Sequence, residues 1–224
     1  MTAPDYGRAF ALWRAGAGPA WDAYVRHPFV TGLGDGTLPK ASFLHYLAQD
    51  YVFLIHFARA WALAVVKAGA LDEMRAASAT VEALVNGEMS LHQRICAEAG
   101  IADLEATVEA PANLAYTRYV LEAGYSGDLL DLLAALAPCV LGYGEIGARL
   151  LQDAGHTPYH DWIETYGGED YQEVCRSVGA LIDGALARRL GEAPDRLPRW
   201  ATLQDRFTTA TRLEVEFWAM GLRP

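Results

Sequence analysis

The chain has 224 residues, of which 52% are hydrophobic and 21% are charged. This composition excludes an intrinsically disordered chain, and the length is sufficient for a core that needs no disulfide or structural metal. Its 18 Lys and Arg residues against 28 Asp and Glu residues give a formal net charge of −10. Because that charge repels a phosphate polyanion, we expect no nucleic-acid partner.

The start of the chain and its cysteines predict a cytoplasmic protein. Asp5 and Arg8 interrupt the first ten residues and no apolar run follows a basic start, so no signal peptide is predicted. The cysteines, Cys96, Cys139 and Cys175, are odd in number and show no CxxC pattern, which favours a reducing compartment. The longest apolar stretches carry charges or are too short to cross a bilayer, so we expect no membrane association.

Apolar residues recur at intervals of three and four, alanine and leucine dominate, and clusters of β-branched residues are rare. This pattern predicts helices and not strands. We expect one all-α domain over residues 1–224, with about seven helices and no long linker or internal repeat. Glycine and proline residues predict breaks between the helices at 16–19, 27–39, 100–111, 124–127, 155–158, 167–168 and 191–198.

The break at 27–39 reads HPFVTGLGDGTLP and contains three glycines at alternate positions. A dinucleotide-binding loop needs a preceding strand and the spacing GxGxxG, whereas residues 21–26 are predicted to be helical. We therefore interpret the segment as a tight connection whose glycines adopt positive φ. Pro39 is expected to be the first residue of the next helix.

The helix after Pro39 has a carboxylate in its apolar stripe. Asp50 falls on the face that carries the large apolar side chains, so it is predicted to point into the core. Alternatively, Asp50 pairs with an inward arginine or caps exposed backbone. The apolar members of the stripe are Phe43, Leu47, Leu54, Phe57 and Trp61.

Glu88 and His92 form an i,i+4 pair on an apolar helix face. The simplest interpretation is a satisfied intrahelical pair, and a functional role is the alternative.

The helix predicted over 129–151 places Cys139 and Tyr143 one turn apart on the face of Leu132 and Leu136. Pro138 removes a backbone donor and is expected to kink the helix beside the thiol. A buried cysteine usually acts as a small apolar side chain, and a buried tyrosine usually packs with its hydroxyl bonded, so both residues also fit a purely structural role.

The last helix repeats the pattern of a carboxylate among aromatic residues. Glu214 lies in line with Phe207, Ala210 and Phe217. Burying two unpaired carboxylates costs several kcal/mol unless they share a polar cavity. Together with the thiol, these groups predict an internal pocket for a flat, nitrogen-rich heteroaromatic ligand.

Three motifs carry a resemblance to a known family. QDYVF at 49–53, PCVLGYGEIG at 138–147 and EVEFW at 214–218 resemble motifs of the TenA family, also called thiaminase II. Between and around them, LVNGEMSLHQRICAEAGI, AYTRYV and WIETYGGEDY follow in the family's order, so the resemblance covers nearly the whole chain. It implies a heme-oxygenase-like helical bundle that binds no heme, needs no metal or other cofactor, and assembles as a homotetramer.

The implied activity is hydrolysis of an aminopyrimidine, either thiamin or 4-amino-5-aminomethyl-2-methylpyrimidine, to the hydroxymethylpyrimidine used in thiamin salvage. By matching motifs, Cys139 would be the nucleophile, Glu214 the acid/base carboxylate and Asp50 the ligand of the pyrimidine amino and ring nitrogen groups. Phe53 stands where many relatives have Tyr, which removes a hydroxyl from the pocket. The aromatic residues implied in substrate contact are Tyr116, Tyr143 and Tyr166, with Phe53 and Phe217 enclosing the ring from both sides.

Some relatives lack the cysteine, so its presence here places the chain with the cysteine-containing branch. Two alternatives remain at this stage. A non-catalytic pyrimidine-binding protein would need the aromatic walls and Asp50 but no thiol. A metal-dependent oxidase of the same fold would draw ligands from Glu88, His92, Asp153 and His156, although the Glu-x-x-His spacing of di-iron bundles is missing. The sequence does not distinguish thiamin, the aminomethylpyrimidine and a phosphorylated analogue as substrates.

Overall fold

The structure is a computed structural model that describes residues 4–101, 103–153 and 155–224. Over these ranges the chain is built of helices, and the described residues form no strand, which confirms the all-α prediction. The α-helices are α1 (Arg8–Ala17), α2 (Pro19–Val25), α3 (Pro28–Asp35), α4 (Lys40–Lys67), α5 (Leu71–Glu82), α6 (Met89–Glu98), α7 (Pro111–Ser126), α8 (Leu129–Asp153), α9 (His160–Gly167), α10 (Glu169–Leu190) and α11 (Pro198–Gly221).

The segment at 27–39 is not the tight connection that was predicted, because α3 occupies most of it. Pro28 stands at the start of the helix, where its fixed φ is favourable, and Nδ1 of His27 accepts a hydrogen bond from the backbone N–H of Phe29 at 3.2 Å. Of its three glycines, Gly36 has a positive φ of 76° and ends the helix. The other two are helical.

The described chain also has more helices than the seven or so predicted. An unpredicted turn separates α4 from α5, where Ala68 is extended and no proline marks the break. Glu73 in the first turn of α5 accepts a hydrogen bond from the backbone N–H of Gly69 at 2.8 Å. A side chain therefore caps a turn that the glycine and proline pattern does not reveal.

A π-helical segment, Ala83–Glu88, joins α5 directly to α6. In an α-helix a step of four residues turns a side chain by about 40° around the axis, so repeated steps of four drift off one face. Thr80, Leu84, Glu88 and His92 follow such steps, and three of them are buried while Glu88 is half-buried. The wider π turn absorbs the drift and keeps Glu88 and His92 on the inner side.

Helix α8 lies at the centre of the bundle and packs against α9, α10 and α11. By length and composition α8 could cross a membrane, but its apolar window is wholly buried inside the protein, which is the position of a core helix. Pro138 lies within α8, and its carbonyl accepts a hydrogen bond from the Tyr24 hydroxyl at 3.3 Å. This helix brings Cys139 and Tyr143 into the centre of the molecule.

An aromatic cluster fills the space between α8 and the neighbouring helices. Trp218 of α11 stacks on Phe29 with ring centroids 4.9 Å apart and lies 5.2 Å from Tyr143. Trp162 and Tyr166 of α9 lie 4.5 Å apart on the other side of Tyr143. These large rings fix the side chains of the site described next.

Candidate active site

Three residues singled out by periodicity and motif face the interior of the bundle. Asp50 on α4, Glu214 on α11 and Cys139 on α8 are 3%, 1% and 8% exposed. They belong to one region, because the charge of Asp50 raises the pKa of Glu214, and the charges of Glu214 and Asp50 both raise the pKa of Cys139. Three separate helices therefore supply one interior cluster of two carboxylates and a thiol.

Asp50 is contacted by a tyrosine hydroxyl of its own helix and by a histidine ring of a neighbouring helix. The Tyr46 hydroxyl donates to Oδ2 of Asp50 at 3.0 Å, and Trp162 donates its indole N–H to the Tyr46 oxygen at 3.3 Å. Nε2 of His92 lies 2.9 Å from the same Oδ2, but its N–H is not aligned for a hydrogen bond. Burial lowers the pKa of His92, yet the nearby charges of Asp50 and Glu88 outweigh burial and raise it overall. The position of Asp50 therefore favours the protonated form of His92.

Glu214 is enclosed by protein and accepts a hydrogen bond from the Tyr116 hydroxyl at 2.9 Å. Burial raises the pKa of Glu214 to about 8, the hydrogen bond from Tyr116 opposes this, and the charge of Asp50 adds to it. At neutral pH this carboxyl group holds a proton and can donate it.

The thiol of Cys139 is neutral at rest. Burial raises the pKa of Cys139 well above its ordinary value, and Glu214, Glu88 and Asp50 raise it further whenever they are ionised. Burial likewise raises the pKa of Tyr116, Tyr143 and Tyr166 well above the ordinary value, so the hydroxyls are donors and not bases. Nucleophilic chemistry at this thiol would require the site to assist its ionisation.

A cavity of about 270 Å³ opens beside the thiol. Its polar groups include Cys139, Glu88 and Tyr166, and the Tyr166 hydroxyl donates to Oε1 of Glu88 at 2.5 Å. Neither Lys nor Arg lines it among the residues the structure describes. The apolar walls come from α4, the α5–α6 run, α8 and α10, through Phe57, Leu84, Leu91, Val140 and Val174.

Glu88 and His92 do not form the intrahelical side-chain pair that was the simplest interpretation of their spacing. Nδ1 of His92 lies 2.8 Å from the backbone carbonyl of Glu88, and the other ring nitrogen faces Asp50. The Glu88 carboxylate instead contacts Tyr166 on α9. The side chains of Glu88 and His92 therefore contact Tyr166 and Asp50, and they do not pair with each other.

The aromatic residues implied by the resemblance are all buried, but two of them leave no slot for a ring. Phe53 and Phe217 contact each other, with centroids 5.4 Å apart and planes inclined by 60°. Phe53 also lies 5.0 Å from Tyr116, and Tyr143 lies 5.0 Å from Tyr166. An inserted ring needs about 7 Å between parallel faces, so enclosure of a ring by Phe53 and Phe217, which stays a prediction, requires these two side chains to move apart.

Sequence reasoning missed Tyr46 and Trp162, which orient Asp50. Tyr46 had an available signal, because it stands four residues before Asp50 on the same helix face. Trp162 comes from a separate helix and had none. Asp153 and His156 are exposed, and no group of three or more His, Cys, Asp or Glu side chains within the described ranges is arranged to hold a metal ion.

Comparison with known proteins agrees with this architecture. Residues 14–224 match the TENA/THI-4/PQQC family. An aminopyrimidine aminohydrolase of Halalkalibacterium halodurans is 39% identical over 210 residues, which span 92% of this chain and 91% of the relative. An uncharacterized protein of Haemophilus influenzae is 43% identical over 211 residues, or 92% of this chain and 95% of the relative.

A solved structure shows the same fold. The crystal structure of a TenA family transcription regulator from Silicibacter sp. TM1040 superposes with a TM-score of 0.97 at 64% identity, and the match covers 98% of both chains. The sequence match spans nearly the whole chain, and the resemblance first seen in its motifs is confirmed. The chain belongs to the TENA/THI-4/PQQC family.

Proposed function

We propose that this protein hydrolyses aminopyrimidines in thiamin salvage, and that it does so by covalent catalysis with Cys139. The observation that carries the proposal is a buried thiol, a protonated Glu214 and an Asp50 without a Lys or Arg partner among the described residues, all in one interior cluster. Such a set is costly to fold and suits proton transfer to a nitrogen heterocycle. Family relatives that carry the name aminopyrimidine aminohydrolase support it.

Asp50 would bind the amino group and ring nitrogen of the pyrimidine. A carboxylate that accepts these hydrogen bonds stabilises the protonated ring, which is the form that accepts a nucleophile. The cavity beside Cys139 is lined by the carboxylates Glu88 and Asp170 and not by Asp50, and no Lys or Arg lines it among the described residues. We therefore propose an unphosphorylated substrate, since a phosphate would meet no Lys or Arg there.

The reaction would run through a thioether to the ring. The thiolate of Cys139 adds to the ring carbon next to the substituted one, and the electrons pushed through the ring expel the amine. Glu214 gives its proton to that amine, so that ammonia departs. Water then adds to the exocyclic carbon, Glu214 takes a proton from it, and the C–S bond breaks.

The aromatic residues would contact the substrate and the reacting groups. Tyr116 holds the Glu214 carboxyl at 2.9 Å, which fixes the direction of its proton. Tyr166 lines the cavity together with Cys139, and Tyr143 packs against Tyr166. Phe53 presents the ring that replaces the more usual tyrosine. Phe217 contacts Phe53 and has to shift if a pyrimidine stacks on that side.

We further propose a cytoplasmic homotetramer that acts on a small molecule and not on nucleic acid or membranes. The apolar side chains Val66, Val108 and Tyr125 are exposed in the single chain, and the formal net charge of −10 disfavours nucleic acid. Light scattering should give four times the 24.4 kDa chain mass. A mass of one chain would contradict the assembly.

The function is tested by incubating the purified protein with 4-amino-5-aminomethyl-2-methylpyrimidine and measuring ammonia and hydroxymethylpyrimidine. We expect turnover, with Cys139→Ser slower by at least about 1,000-fold while it still binds the pyrimidine by calorimetry. Thiamin is assayed in parallel to rank the substrates. A Ser variant with near-native turnover would refute covalent catalysis.

The same assay separates the alternatives. Binding without product formation by the wild-type protein would identify a pyrimidine-binding protein and refute the enzyme. Turnover that a chelator abolishes and a divalent metal restores would favour the metal-dependent reaction. We expect equal rates with and without the chelator.

A further inference from the structure

Glu88 is a carboxylate in the cavity that the mechanism above does not use. We propose that Glu88 is the base that removes the proton from the Cys139 thiol and later returns it. This assignment rests on the proposed function, because it names the group that activates the nucleophile of that reaction.

The position of Glu88 carries the inference. The π-helical segment Ala83–Glu88 ends at this residue, and its half-buried side chain lines the same cavity as Cys139. The Tyr166 hydroxyl holds Oε1 at 2.5 Å. Among the described residues nothing donates to Oε2, so one carboxylate oxygen remains free to accept a proton.

The groups that face Glu88 come from every helix around the cavity. They are Asp50 on α4, His92 on α6, Cys139 on α8, Tyr166 on α9, and Asp170 and Tyr171 on α10. Burial raises the pKa of Glu88 to about 7, the charge of Asp50 adds to this, and His92 opposes it. Near neutral pH the carboxylate form is therefore well populated, as a general base requires.

Glu214 is the competing base, and its charge raises the pKa of the Cys139 thiol more than that of Glu88 does. Its own pKa is about 8, however, so at neutral pH it is protonated and cannot accept the thiol proton. Its carboxyl group is also bonded by the Tyr116 hydroxyl, whereas Glu88 lines the cavity together with Cys139. Two carboxyl groups with different surroundings thus divide the work of acid and base.

The proton balance closes with these two groups. In the first half, the thiol proton of Cys139 moves to Glu88 as the S–C bond forms, and the proton of Glu214 moves to the departing amine as the C–N bond breaks. In the second half, Glu214 takes a proton from water as the O–C bond forms. The C–S bond breaks, and Glu88 returns its proton to the thiolate. The net change is amine plus water to alcohol plus ammonia.

The test compares Glu88→Gln with Glu82→Gln, which makes the same charge change at an exposed position on the same helical run. In wild type, kcat/KM should fall tenfold per pH unit below about pH 7, because Glu88 must be ionised. Glu88→Gln should lower kcat by about 100-fold or more and abolish this acid limb. Glu82→Gln should match wild type, and Glu88→Asp should keep the limb with part of the rate.

Alkylation of Cys139 by iodoacetamide, followed by peptide mass spectrometry, gives a readout that needs no substrate. The charge of Glu88 raises the pKa of this thiol. In Glu88→Gln the Cys139 thiol should therefore ionise more easily and be alkylated at least as fast as in wild type. Slower turnover together with equal or faster alkylation supports loss of the base. A merely structural role would instead weaken pyrimidine binding in a Cys139→Ser background.

Two results would overturn the assignment. One is a Glu88→Gln variant within threefold of the wild-type kcat/KM with its acid limb intact. The other is a slow variant whose acid limb persists and whose pyrimidine affinity is lost, with Glu88→Asp equally inactive. If wild type does not turn over the pyrimidine, the proposed function itself fails, and this outcome is distinct from an active wild type with an unaffected Glu88→Gln.

Discussion

Two sets of buried carboxylates in this molecule differ in what faces them. Glu73 on α5 is 2% exposed and lies 2.6 Å from Nη1 of Arg189 and 3.2 Å from Nε of Arg188. Glu145 on α8 accepts two hydrogen bonds from Arg14, at 2.7 and 2.8 Å. The carboxylates of the site, in contrast, meet tyrosine hydroxyls and one histidine.

The side chain that contacts each buried carboxylate determines the direction in which its pKa shifts. Hydrogen bonds from Arg189 lower the pKa of Glu73 to about 2, although burial acts against them. Without such a cation, burial raises the pKa of Glu214 to about 8 and of Glu88 to about 7. Burial alone therefore does not mark a functional carboxylate, whereas burial without a guanidinium partner does.

The largest expected effect is on kcat, which should fall when Glu214 of the site is replaced and stay unchanged when the arginine-paired Glu73 is replaced. Glu214→Gln should lower kcat for ammonia release by about 100- to 1,000-fold, because the neutral amide cannot transfer a proton. Glu73→Gln, its matched control, should keep the wild-type kcat per folded molecule. Ammonia release by folded, quantified protein checks both. A Glu214→Gln variant with more than a third of the wild-type rate would show that Glu214 is not needed for turnover, so the two sets of carboxylates would not differ in function.

The dependence of stability on pH should differ in sign between the sets. Glu214 has a folded-state pKa above its ordinary value of 4.5, so its contribution to stability is greatest below pH 4.5 and is lost as pH rises toward 8. Between pH 5 and pH 8, the free energy of unfolding of Glu214→Gln should rise by on the order of 3 kcal/mol relative to that of wild type. Urea unfolding at both pH values measures this. Parallel pH profiles for the two proteins would contradict it.

Glu73 should behave in the opposite way. Its folded-state pKa lies below the ordinary value, so its contribution is fully present above pH 4.5 and is lost as pH falls toward 2. Glu73→Gln should cost about 2 kcal/mol at pH 7, because charge-assisted hydrogen bonds to two arginines are lost. Thermal and urea unfolding provide the measurement. An unchanged free energy of unfolding would show that the contacts of Glu73 with Arg188 and Arg189 do not stabilise the fold.

The smallest expected effect on the free energy of unfolding is at an exposed ion pair. Glu98 lies 3.7 Å from Arg94 at i,i+4, and both side chains are solvated. Glu98→Gln should change the free energy of unfolding by less than about 0.5 kcal/mol and leave turnover unaltered. A larger loss in urea unfolding would mean that exposure is a poor guide to the weight of an ion pair in this protein.

Helical periodicity was sufficient for part of the fold and of the site. It predicted the all-α class and the inward direction of Asp50 and Glu214, because a repeat of 3.6 residues records which face is buried. It failed at α3, since glycine and proline mark both loops and helix ends. It also gave no sign of the π-helical segment, whose geometry depends on packing against other helices.

Contacts between helices account for what else was missed. Nothing in the local sequence distinguishes Glu73, which meets arginines of α10, from Glu88, which meets a tyrosine of α9. The spacing of Glu88 and His92 suggested a pair with each other, but each found a partner on another helix. Partner identity is a tertiary property, and the local sequence does not record it.

The π-helical segment Ala83–Glu88 follows α5, which carries Glu73, and ends at Glu88 along one continuous helical run. A π turn holds one residue more than an α-helix needs. Deleting Gly87, which has open space around it, would regularise the hydrogen bonding but rotate the anchoring half of the run out of phase with the half that faces the cavity. A shortened variant that keeps Glu73 on Arg189 should therefore misplace Glu88 and lose turnover, and one that keeps Glu88 in the cavity should lose the Glu73 contact and stability.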